Sequence, residues 1–145
     1  MSKLIAARTG QYVMEAEFTF NFDDTMVSVG GTEVDFGKTN TAATSFDIIN
    51  LPENSVIVGG ELVTETAFDT ASYAVVIGDS ATADRYLASA DRKGAARVAL
   101  VPTGYRTTGA NLRIGITNAD ACTAGKATVR VQYVITGRAN EMIPN

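Results

Sequence analysis

The sequence predicts an all-β domain: an antiparallel β-sandwich of jelly-roll-like layout, with about eight strands and at most one short helix. Three observations predict it. Apolar runs of strand length recur along the chain, separated by clusters of Gly, Asn, Asp and Thr. Two of these segments alternate with period two, which places one face of each against a core. No strand–helix alternation of the kind that builds parallel sheets is present. An immunoglobulin-like sandwich fits less well, because the paired cysteines and the core tryptophan are both missing.

Residues 11–22 form the first strand, with Phe18, Phe20 and Phe22 on one face and Glu17, Thr19 and Asn21 on the other. The Phe stripe is read as core; the alternative is a subunit interface. Asp23 and Asp24 supply a turn, and residues 25–29 are expected to return as the second arm of a hairpin ended by Gly30 and Gly31. Residues 34–36 form a short edge segment and 45–51 the next strand, closed by the turn at Pro52. Residues 56–68 are one long strand, in which Gly59 and Gly60 mark a bulge or bend. Residues 72–77 follow. Residues 80–93 are the one helical expectation, with Tyr86, Leu87 and Ala90 on a weak apolar face and Gly94 as its stop. Strands at 95–101, 111–117 and 126–137 complete the set. In the last, Ala127, Val129, Val131, Tyr133 and Ile135 share a face. The domain thus spans 11–137, flanked by an N-terminal arm (1–10) and a C-terminal tail (138–145) outside the strand pattern.

With 145 residues the chain fits one domain, large enough to bury a core without disulfides or metals. Histidine is absent, so no Ser-His-Asp triad, Cys-His dyad or His-based zinc site can be built. The single cysteine, Cys122, has no cationic neighbour in sequence and reads as a small, partly buried residue. No catalytic residue, cofactor-binding residue or metal ligand is assigned. Net charge is −4, and the basic residues are scattered, with Arg85, Arg92, Lys93 and Arg97 the densest group, which argues against a nucleic-acid partner. The N-terminus is too weakly apolar for a signal peptide and no stretch reaches the length of a membrane span, so no membrane association and synthesis in a cytosol are expected.

Three motifs invite chemistry. Gly78-Asp79-Ser80 resembles the nucleophile block of Gly-Asp-Ser-Leu hydrolases, but Ala81 replaces the Leu and the downstream His does not exist; a strand end and turn explain it equally well. Gly125-Lys126 fails as a phosphate loop, because Asp120 stands where a Gly is required and Ala127 where a Ser or Thr is. Glu61 and Glu65 share a strand face roughly 13 Å apart, beyond the roughly 5–9.5 Å of glycosidase pairs. Glu15 and Glu17 lie opposite the Phe stripe, on the solvent face.

The blocks Val56-Ile57-Val58-Gly59-Gly60-Glu61-Leu62-Val63-Thr64-Glu65-Thr66-Ala67-Phe68-Asp69, Tyr73-Ala74-Val75-Val76-Ile77-Gly78-Asp79, Arg85-Tyr86-Leu87 and Thr123-Ala124-Gly125-Lys126-Ala127-Thr128-Val129-Arg130-Val131-Gln132-Tyr133 come in an order that resembles the head decoration, or cement, proteins of tailed bacteriophages. The resemblance spans residues 45–137. It implies a non-enzymatic virion protein on the outside of the capsid, a symmetric dimer or trimer that bridges major capsid subunits and reinforces the shell. The contact residues assigned on this basis are Lys3, Leu4, Ile5, Arg8 and Tyr12 at one end, with Arg138, Glu141, Met142 and Ile143 at the other. A tail or head-fibre component is the alternative within the same class. A carbohydrate-binding sandwich is the alternative outside it, with Tyr105 in its loop as the best-placed aromatic.

Overall fold

The structure is a computed structural model and describes residues 12–136. The strands, in chain order, are β1 (Met14–Asn21), β2 (Thr25–Val27), β3 (Glu33–Asp35), β4 (Thr44–Ile49), β5 (Ser55–Thr66), β6 (Tyr73–Gly78), β7 (Leu87–Asp91), β8 (Ala96–Ala99), β9 (Leu112–Asn118) and β10 (Lys126–Ile135). Two four-stranded antiparallel sheets face each other: β1-β10-β5-β8 and β4-β9-β6-β7, with β2-β3 as a separate ribbon.

The pairing is nested. β1 pairs with β10, β4 with β9, β5 with β8 and β6 with β7. The chain is therefore one long hairpin whose rungs alternate between the two sheets. The β10–β5 and β9–β6 ladders then close each sheet. This is a jelly roll, the sandwich topology predicted above.

The core follows from the alternation. Phe20, Leu62, Val129 and Val131 from the first sheet meet Phe46, Tyr73, Val75, Ile77, Leu112 and Ile114 from the second, all at most 2% exposed. Phe18 and Phe22 pack half-buried against the same core, so the Phe stripe is core. An aromatic chain crosses the sandwich: Phe46 stacks on Phe36 with centroids 4.3 Å apart, Phe36 on Phe20 at 4.6 Å, and Phe68 on Tyr73 at 3.8 Å, with Phe20 and Phe68 6.2 Å apart. Such pairs contribute about 0.5–1.5 kcal/mol each beyond simple burial. The Tyr73 hydroxyl donates to the Phe36 carbonyl, tying β6 to the chain after β3.

The bulge expected at the paired glycines is present. Ile57 faces Tyr133 and Gly59 faces Gln132, which leaves Val58 as the extra residue. Gly60 follows with φ 156°, and a Cβ there would lie 2.5 Å from the Arg130 carbonyl.

Two expectations are corrected. Residues 80–93 form no helix. The Asp79 carboxylate instead accepts from the amides of Ala81 and Thr82, the Arg85 amide bonds the Thr82 carbonyl, and the Tyr86 amide bonds the Ile77 carbonyl. From Leu87 the chain is drawn into the β6 ladder as β7. The apolar face was too weak to hold a helix against a sheet edge with backbone groups to satisfy. Residues 25–29 do not pair with β1 either. β2 pairs with β3, while β1 pairs with β10 across the whole chain, because only the longer strand covers all of its ladder.

Gly125, at φ 151°, opens β10 with its Cα against the Phe68 ring, and a Cβ there would come 2.1 Å from the ring. Gly125→Ala should lower the unfolding free energy by about 1–3 kcal/mol through overpacking, read as a drop in urea midpoint at unchanged slope.

Candidate assembly surfaces

The outer face of the first sheet carries an ion-pair ladder crossing all four strands. Arg130 on β10 bonds Glu17 on β1 at 2.7 Å and Glu61 on β5 at 2.9 Å; Glu61 in turn holds Arg97 of β8 at 2.7 Å. Beside this row, Gln132 donates to Glu15 at 3.1 Å, and Thr128 bridges Thr19 and Glu65. The ladder exists because β1 lies opposite β10 with Glu17 facing Arg130, and Arg130 faces Glu61. Arg97 and Arg130 hold the Glu61 carboxyl below its ordinary range, and the Thr128 hydroxyl and Lys126 do the same for Glu65. Both are fixed as carboxylates, so neither serves as a general acid near neutrality.

The outer face of the second sheet is different in kind. Ser45, Ala74, Val76, Ser89, Gly115 and Thr117 line a shallow cavity of about 180 Å³, small side chains without charge. Gly115 sets its floor, since a Cβ there would meet Val76 at 2.6 Å. Asp47 and Arg113, paired at 2.8 Å, bridge β4 and β9 nearby.

Aspartates hold the connecting loops. Asp35 accepts from the amides of Gly37, Thr39 and Asn40, each at 3.0 Å, and from the Thr39 hydroxyl. Asp69 accepts from the amides of Thr123 and Ala124 and from the Thr123 hydroxyl, and Asp91 from those of Tyr73 and Lys93. Asp79 adds an ion pair to Arg85 at 2.6 Å, and the Arg85 guanidinium lies 3.5 Å over the Tyr105 ring.

The sequence motifs resolve accordingly. Asp79 is buried in its turn and Ser80 is exposed beside it. Lys126 reaches Glu65 at 3.4 Å instead of facing an open glycine loop. Cys122 is buried, donates its amide to the Gly37 carbonyl, and burial pushes its thiol pKa up, which disfavours the reactive thiolate. Tyr105 is half-buried beneath Arg85 rather than a free platform. Among the described residues, no three His, Cys, Asp or Glu side chains are placed to hold a metal, and no helix is long and apolar enough to cross a membrane.

Of the contact residues assigned from sequence, Tyr12 is 87% exposed immediately before β1. Lys3, Leu4, Ile5, Arg8, Arg138, Glu141, Met142 and Ile143 lie outside the described residues. The register adds what the sequence did not show: Met14 faces Tyr133, so the described chain begins and ends side by side. The end of β10 is fastened there, where the Thr136 amide and hydroxyl both donate to the Asn54 carbonyl. The ladder was also missed. Its members sat on the predicted solvent faces of their strands, but which strands are neighbours is set by long-range pairing.

The fold and these surfaces define a jelly-roll protein with one heavily ion-paired sheet face and one flat, small-residue face. Solved chains sharing this fold come from phage capsids. A chain of the cyanophage Pam1 capsid asymmetric unit superposes with a TM-score of 0.63 at 20% identity, over 92% of this chain and 94% of that one. A chain of the capsid of Ralstonia phage GP4 gives 0.56 at 13%, over 93% and 91%. One from the acidic stable capsid structure of Helicobacter pylori bacteriophage KHP30 gives 0.52 at 15%, over 84% and 92%. No protein-family model and no curated protein sequence matches the chain.

For Asp35, partial burial pushes the carboxyl up, but the Thr39 hydroxyl and the three amides outweigh it and hold the pKa at about 2, against an ordinary 3.8. A depressed folded-state value means that its stabilisation is complete above the ordinary value and is lost as pH falls through about 2. The melting temperature should therefore fall between about pH 4 and pH 2, and Asp35→Asn should flatten that fall while lowering the melting temperature at pH 7.

Proposed function

We propose that this chain is a structural virion protein, a decoration or cement protein that binds the outer surface of a phage head and bridges major capsid subunits. The observation that carries the reading is the end-to-end likeness to chains in phage capsid structures, which covers more than nine-tenths of both partners in two cases. The sequence resemblance, read from different blocks of the chain, supports the same class.

The architecture suits a mechanical task. Two cross-paired sheets and aspartate-held loops give a rigid body. The described chain begins and ends at one corner of that body, and residues 1–10 and 138–145 are read as the segments that contact a neighbouring subunit. Weak contacts repeated over a symmetric lattice, with the protein acting as a dimer or trimer, sum to firm attachment. A non-enzymatic role fits the chemistry of Cys122, Asp79, Glu61 and Glu65, each of which is held in a structural bond. The carbohydrate-binding alternative loses its best aromatic, because Arg85 covers Tyr105.

The test is co-sedimentation of purified protein with capsids that lack it, before and after shell expansion. Saturable binding to expanded shells at a lattice-fixed ratio is expected; binding to neither form overturns the proposal. Deleting residues 1–10 should weaken attachment while leaving thermal unfolding unchanged, and undiminished attachment would remove the N-terminal arm from the interface.

A further inference from the structure

Arg92 follows β7, and its backbone is fixed on both sides: its amide donates to the Tyr73 carbonyl, and its carbonyl accepts from the Thr64 hydroxyl at 3.1 Å. Its side chain lines a cavity of about 170 Å³ together with Leu62, Thr64, Ala96, Val98 and the turn at Gly94. The cavity opens where the inner face of the first sheet runs out at β8. The inward residues of that strand, Ala96 opposite Thr64 and Val98 opposite Leu62, are too small to fill the space.

The guanidinium is the unusual feature. Arg85, Arg97, Arg113 and Arg130 each hold a carboxylate, and the Arg106 Nε donates to the Asn54 side-chain oxygen. Arg92 alone among the described arginines has its Nε buried without a hydrogen-bond partner, and among the described residues no carboxylate pairs with it. The nearest acidic group lining the cavity, Asp91, is turned to the amides of Tyr73 and Lys93 and to the Lys93 ammonium. Buried donors are almost always paired, and an arginine fork is matched by a carboxylate.

The strand beside the cavity supplies a route. β8 pairs with β5 on one side, and among the described residues nothing pairs with its other side. An extended segment added to that edge would direct alternate side chains inward, over Leu62 and Val98 toward Arg92.

We propose that this cleft is a receptor for an acidic side chain, carried on an extended segment of a neighbouring protein chain that lies along β8. Assigning that neighbour to the capsid rests on the proposed function; the ligand chemistry of the cleft does not.

The test uses the isolated full chain and methyl and arginine Nε–H NMR, with the capped peptide Val-Thr-Glu-Thr-Val, its Gln counterpart and inorganic phosphate as probes. The Glu peptide should give saturable shifts at the Leu62 and Val98 methyls and at the Arg92 Nε–H. Affinity should fall about tenfold or more with the Gln peptide or with Arg92→Gln. Methyl shifts of Ile49 and Ile114, on strands that pair with neither β5 nor β8, verify that the variant is folded. The proposal is overturned if the Glu peptide shifts nothing, if Arg92→Gln binds it equally well, or if phosphate shifts the same groups as strongly, which marks a free-anion site. Capsid co-sedimentation separates the two claims. Attachment of wild type with loss in Arg92→Gln supports the cleft as an assembly contact. Equal attachment of both overturns that role while leaving the virion assignment standing.

Discussion

The first sheet exists because the last strand lies inside it. β10 runs between β1 and β5, pairing with both along most of its length. Its inward residues Val129 and Val131 are fully buried, and its outward Arg130 joins Glu17 to Glu61. Without β10, β1 has no partner and the outer ladder loses its central cation. A fold closed by its two ends depends on contacts of large sequence separation, whose loop-closure entropy must be met before the contacts form. Much of the remaining design answers that requirement. The aspartate-held turns after β3 and β6 and between β7 and β8 narrow the search locally, and the aromatic chain from Phe46 to Tyr73 reads out correct juxtaposition of the sheets.

The same constraint shapes the surfaces. Because β1 and β10 are antiparallel neighbours, the described chain enters and leaves at one corner, next to the Asn54 turn. That corner is anchored, because Thr136 is tied to the Asn54 carbonyl. At the opposite flank β8 is short and carries small inward residues, which leaves a cleft lined by Arg92, whose Nε is buried without a partner. The body offers a rigid centre, a corner where the described chain begins and ends, and a cleft at the far edge.

How much of this was legible in the sequence depended on range. The alternation of Phe18, Phe20 and Phe22, and of Ala127 to Ile135, is a local signal and located two neighbouring strands correctly. The glycine pair at 59–60 located the bulge for a local reason too: Gly60 leaves room for the Arg130 carbonyl. Residues 80–93 misled because Leu87-Ala88-Ser89-Ala90-Asp91 has no strand preference of its own and becomes β7 through the edge of β6. The basic group Arg85, Arg92, Lys93 and Arg97 looked like one scattered cluster. Pairing register sends Arg85 to Asp79, Arg97 to the outer ladder and Arg92 inward, and no spacing rule anticipates that separation. Of the contact residues expected from the sequence, Tyr12 alone falls among the described residues.

The central claim, that this jelly roll is a building part of a phage head, is tested most directly by imaging the assembled virion at a resolution that resolves side chains. The account predicts density for residues 12–136 as one rigid body at symmetry-fixed positions on the outer surface of the shell, with residues 1–10 and 138–145 traceable along adjoining capsid subunits. A shell fully accounted for by other chains, with this body absent or confined to the tail, would contradict it.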